Sequence, residues 1–108
     1  MGQVEQFEDR LLKEFPTSVF RSGKTILIKF HIVDQVLKLA QSADLRLAGM
    51  DGFEEIGESI VPMMAYIVDL SSMIAAGSPI AQQYDATRAF ISDNAEEPDL
   101  IELVLLAP

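Results

Sequence analysis

Apolar residues follow a helical period in three stretches of the chain. Val4, Phe7, Leu11, Leu12 and Phe15 recur at helical spacing and form one stripe, which predicts a helix over 3–15. Glu5, Glu8 and Asp9 sit early in it and Lys13 late, as the helix dipole favours. Pro16 ends it, because a proline disfavours helical backbone at the residue before it. A second helix is expected over 31–43. Ile32, Val33, Val36, Leu37 and Ala40 turn inward there, with Leu39 at the margin, while Asp34, Gln35, Lys38 and Gln41 face out. Asp34 and Lys38 form an i, i+4 pair. A third helix should begin at Pro79, with Ser78 as its N-cap, and run to about Asp93. Ile80, Tyr84, Thr87, Phe90 and Ile91 form its buried side, and Asn94 is placed to cap its end.

Between these helices the period shortens to that of strands. Residues 17–20 and 25–28 flank the turn Arg21-Ser22-Gly23-Lys24, which predicts a hairpin with Gly23 at positive φ. Residues 45–48 alternate, with Leu45 and Leu47 inward. Gly49 is read as ending that strand, and Met50-Asp51-Gly52 as a turn, since Asp-Gly is a strong turn pair. Residues 58–62 read as extended. Residues 65–70 read as a strand with Ala65, Ile67 and Asp69 on one side and Tyr66, Val68 and Leu70 on the other. Residues 72–77 are expected to connect, and 95–99 to form an acidic loop. The run Leu100–Leu106, apolar but for Glu102, has the character of an interior strand. This order lacks a βαβ repeat. It predicts a single α+β domain: a mixed or mainly antiparallel sheet of four or five strands with about three helices packed on it.

Charge sharpens the picture. The 108 residues carry a formal net charge of −9, unevenly spread. Residues 1–46 hold seven Lys or Arg and six Asp or Glu, whereas 47–108 hold only Arg88 against eleven acids. Nucleic acid and anionic membranes are therefore not expected partners, because both need a basic footprint. An acidic half instead steers a cationic partner. The absence of cysteine excludes disulfides and thiolate chemistry and fits a reducing, cytoplasmic setting. The apolar run Ile60–Val68 is less than half a membrane span, so no membrane is expected.

The inventory for catalysis is thin. Gly23-Lys24-Thr25 lacks the preceding glycine and the following helix of a phosphate-binding loop. His31 is the only histidine, with no assignable carboxylate or nucleophile beside it, which suits a surface or capping role. Asp51, Glu54, Glu55 and Glu58 lack the spacing of a calcium loop. Glu58 and Asp69 would serve as an acid–base pair only if the fold joined them. No cofactor or metal is expected, and a non-enzymatic role is. Met50, Met63, Met64 and Met73 suit core filling or an adaptable binding face. Phe53, beside acids, is an anchor if exposed and a core residue if buried.

Residues 47–71 resemble a pattern found in small bacterial immunity proteins, the inhibitors paired with polymorphic or contact-dependent toxins. A short strand runs into Gly49-Met50-Asp51-Gly52-Phe53, followed by Ile60-Val61-Pro62 and then Ile67-Val68-Asp69-Leu70-Ser71. The resemblance implies neutralisation of a cognate toxin domain by masking its active site. Such toxins are often basic nucleases, which the acidic half would complement. The expected contact face combines Asp51, Phe53, Glu54, Glu55, Glu58, Asp69, Glu96, Glu97 and Asp99. Two alternatives are a homo-oligomeric structural or regulatory subunit, for which a homodimer is the simplest form, and a small-molecule-binding domain.

Overall fold

The computed structural model describes residues 2–108. It is α+β, with four helices and one five-stranded antiparallel sheet. Helix α1 (Gln3–Glu14) leads into the hairpin β1 (Val19–Ser22) and β2 (Thr25–Lys29). A 3-10 turn at Phe30–Ile32 opens into α2 (Val33–Ser42). The long strands β3 (Arg46–Ile56) and β4 (Ser59–Asp69) follow, then the short α3 (Ser71–Ala75), α4 (Ile80–Asp93) and β5 (Leu100–Leu106). The sheet order is β1-β2-β5-β3-β4, and every neighbouring pair is antiparallel. The last strand in sequence is thus the middle strand of the sheet, as its apolar run predicts.

One core lies between the helices and one face of the sheet. Phe7 and Leu11 of α1, Val36, Leu37 and Ala40 of α2, and Tyr84 of α4 pack against Ile26, Ile28, Met50, Tyr66, Ile101 and Leu103. Strand alternation sends the neighbours of these sheet residues to the reverse face. Leu27 and Leu100 are almost fully buried there, outside the main cluster.

The predicted helices and the first hairpin are present, with shifts of a few residues at their ends. Gly23 takes φ 61° in the first turn. His31 lies exposed in the 3-10 turn, so α2 starts later than the period suggests. The expected connector contains α3, and Ser78 bonds back to the Met73 carbonyl at 3.0 Å instead of capping α4.

The central stretch departs most from expectation. Gly49 does not end a strand and Met50-Asp51-Gly52 is not a turn, because β3 runs through both. The two extended pieces expected at 58–62 and 65–70 are one strand, β4. The reversal lies at Gly57-Glu58, between the paired residues Ile56 and Ser59, with Gly57 at φ 61°. Gly49 and Gly52 serve close approach instead. A Cβ on Gly49 would lie 2.6 Å from the Val68 carbonyl oxygen, and one on Gly52 would lie 2.8 Å from Tyr66 Cδ1. Both strands also carry irregularities. Ala48 is an extra residue against β5, and Gly52 stands opposite the whole of Met63–Tyr66 in β4. Gln83 of α4 answers the first of these: its buried Oε1 accepts the Leu47 N–H at 2.9 Å. The Tyr84 hydroxyl donates to the Leu45 carbonyl at 2.8 Å, so α4 is bonded to the entry of β3 at two points.

Candidate functional site

The β3–β4 hairpin is the most exposed part of the sheet. β4 is an edge strand, and Ser59–Val68 carries no charged residue. Ile60, Val61, Met64 and Ile67 of this strand are all exposed, as is Ile56 at the end of β3. Pro62 sits on the edge, where a missing N–H takes nothing from the ladder. Met64 is 78% exposed, while Met50 and Met63 are in the core and Met73 packs against it. Phe53 is half-buried and pairs with Pro62 and with Leu100. It therefore helps cover the reverse face instead of standing out as an isolated anchor.

The expected acidic residues divide into two groups at opposite ends of the hairpin. Glu54 and Glu55 lie near the end of β3 and Glu58 in the reversal itself. Asp99 belongs with them: its Oδ2 accepts the Glu55 N–H at 2.8 Å and its own N–H donates to the Phe53 carbonyl at 3.0 Å. The loop bearing exposed Glu96 and Glu97 is thereby tied to the hairpin, and buried Pro98 closes it against the protein. Asp99 is thus committed mainly to holding the loop against the hairpin. Asp51 and Asp69 form the second group, at the other end of β4. Asp69 pairs with Gly49 and Asp51 with Ile67. Glu58 and Asp69 stand at opposite ends of β4 and form no acid–base pair.

At this second end the reverse face of the sheet holds a shallow groove of about 330 Å³. Gly49 forms its floor, Ile67 and Val104 flank it, and Asp51 and Asp69 border it. Glu102 stands directly across from Asp51 on β5, both half-buried. Burial pushes the Glu102 carboxyl above its ordinary range, and the facing Asp51 charge adds to the rise. Asp69 is shifted the other way. Hydrogen bonding from Ser71, including its N–H at 2.9 Å, favours the ionised carboxylate. Glu102 did not stand out in sequence, where it is a lone charge in an apolar run. Alternation sends it to the same face as Leu100 and Val104, but only the β3–β5 register sets it against Asp51.

The chain's own bases do not neutralise this side. The four ion pairs among the described residues join Arg10 to Glu14, Arg21 to Asp9, and both Lys38 and Arg88 to Asp34. None involves any of the eleven acids between residues 47 and 108. Arg88, the single base of that half, lies between α2 and α4, 5.9 Å from the Tyr84 ring centroid and bonded to Gln41. No three His, Asp or Glu side chains among the described residues converge as metal ligands. No helix among them is long and apolar enough to cross a membrane.

Comparison with known proteins finds no match among family models, curated proteins or solved structures.

Proposed function

We propose that this chain is a non-catalytic, acidic binding protein, most concretely an immunity protein that neutralises a cognate toxin domain. The observation that supports this reading is the combination on the β3–β4 side: exposed apolar side chains interleaved with carboxylates that form no ion pair with a base among the described residues. Protein interfaces pair a desolvated apolar centre with a polar rim, and a rim of one sign selects a partner of the other. The partner that fits is a basic protein domain, such as a nuclease, held with its active site covered. A cytoplasmic setting follows from that role, since the inhibitor must meet the toxin where it acts.

Co-expression with the product of the adjacent gene tests the proposal. The neighbour alone should arrest growth, and this chain should restore it. Binding should weaken as salt rises, and the charge reversals Glu54→Lys and Glu55→Lys should weaken it further. A harmless neighbour that does not bind would refute the immunity role. Binding indifferent to both salt and charge reversal would refute the acidic rim. The edge strand β4, uncharged from Ser59 to Val68, also favours a second reading, a homo-oligomer paired through that edge. Light scattering that shows a tight dimer would support it.

A further inference from the structure

We propose that the groove on the reverse face at Gly49 receives one basic side chain, an arginine or lysine, of a protein partner. The inference rests on the chain being a binding protein for a cationic partner, and it names where that partner's principal charge is held. Three features of the groove fit such a side chain. Its floor is bare, because Gly49 has no Cβ and packs its backbone against that of Val68. Its walls are apolar, with Ile67 42% exposed and Val104 40% exposed on strands flanking the floor. Its border is anionic, with Asp51 and Asp69 on β3 and β4, and Glu102 stands beyond that border, across from Asp51 on β5. Arginine and lysine have this profile in reverse: an aliphatic stem that seeks apolar contact and a cationic head that seeks carboxylate.

The facing pair of Asp51 and Glu102 strengthens the argument. Like charges directly opposite on neighbouring strands destabilise a sheet. Here both are half-buried, and neither forms an ion pair with any Lys or Arg of the described residues. A cation entering from outside removes that repulsion and replaces it with attraction. A second copy of this chain is a poor occupant, since each copy carries −9. A basic protein surface is the complementary one.

The test uses the full chain, isotope-labelled for NMR, and a capped hexapeptide alternating arginine with valine, titrated at near-physiological salt. Amide shifts should concentrate at Gly49, Asp51, Ile67, Asp69, Glu102 and Val104. The double variant Asp51→Asn/Glu102→Gln removes a repulsive pair, so it should fold, and it should bind the peptide about tenfold more weakly. Glu54→Gln/Glu55→Gln removes the same charge elsewhere and should change binding by less than about twofold. Equal losses from the two variants, or shifts centred on the hairpin tip and residues 96–99, would overturn the groove in favour of general acidity. The same variants separate this inference from the immunity role. If the peptide maps to the groove but the neighbouring gene product is harmless, the groove stands and the immunity role fails. If toxin rescue is undiminished by Asp51→Asn/Glu102→Gln, the immunity role stands and the groove fails.

Discussion

Replacing Gly52 by alanine tests the account of the central strands most directly. Gly52 is not among the glycines at positive φ, so alanine's backbone preference is not the obstacle. The obstacle is space: the new Cβ would lie 2.8, 3.0 and 3.1 Å from Cδ1, Cβ and Cγ of Tyr66. Carbon atoms rest at about 3.5–4.0 Å, so the closest contact is short by about 0.7 Å or more. These are the root atoms of the tyrosine, not a free tip. Its ring is also held edge-on against Phe90, with centroids 5.0 Å apart, and against Phe30 at 6.1 Å. Overpacking of this kind costs about 1–3 kcal/mol, and the reduced freedom of the unfolded chain offsets roughly 0.4–1 kcal/mol of it. A net loss of about 1–2 kcal/mol remains. With an unfolding entropy of about 2.1 cal/mol/K per residue, a chain of this length should melt about 4–9 °C lower. Circular dichroism during thermal and urea denaturation measures both quantities. A cycle with Tyr66→Ala isolates the cause, run in sucrose to offset the cavity that Tyr66→Ala creates. On that background the Cδ1 and Cγ contacts are gone and only the Cβ contact at 3.0 Å remains, so Gly52→Ala should cost clearly less than beside the full ring. Gly57→Ala is the contrasting case. Its φ of 61° makes alanine costly by about 1–2 kcal/mol. Nothing among the described residues lies within 4 Å of its missing Cβ, so that cost should be the same with or without the Tyr66 ring. An unchanged melting temperature for Gly52→Ala, or an equal cost on both backgrounds, would refute the close-approach reasoning.

Three further outcomes follow from individual groups. The Tyr66 hydroxyl is buried with no hydrogen-bond partner among the described residues, so Tyr66→Phe should raise stability by about 1 kcal/mol in urea denaturation. Gln83→Leu should cost about 1–3 kcal/mol, because it leaves the Leu47 N–H without its buried acceptor, and hydrogen exchange should accelerate first at Leu47. Glu102→Gln should stabilise the protein at neutral pH. Burial, and then Asp51, raise the Glu102 carboxyl in the folded state, so its protonated form is the one folding favours. Its contribution is therefore complete below the unfolded carboxylate pKa and is lost as pH rises through the folded one. The advantage of the glutamine variant should accordingly shrink as pH falls through the carboxylate range, which melts from pH 3 to 7 would record.

Much of the fold is legible in the residues themselves, for reasons that are local. The stripe of Val4, Phe7, Leu11, Leu12 and Phe15 commits α1 to one face, and Pro16 stops it whatever surrounds it. LIELVLL reads as an interior strand because Glu102 is the only polar side chain in an otherwise apolar run. The alternation of Tyr66, Val68 and Leu70 against Ala65, Ile67 and Asp69 correctly separates the buried from the outer side of β4.

What escaped local reading is what distant segments impose. Asp51-Gly52 looks like a turn because a glycine is free to reverse the chain. It is strand because β5 pairs along one side of it and Tyr66 fills the space its side chain would occupy. The turn itself went to Gly57-Glu58, where no side chain competes for the room. The acidic residues show the same division. Their imbalance is plain from composition, but composition cannot say that Asp99 is tied to the Glu55 backbone, or that Glu58 and Asp69 stand at opposite ends of one strand. Nor can it set Glu102 against Asp51. Register between strands about fifty residues apart is a tertiary property, because it depends on which side chains share the core and not on any one segment's preference. The sequence by itself determined an acidic α+β domain. The tertiary structure decided which of its carboxylates hold the fold together and which face outward around an apolar groove.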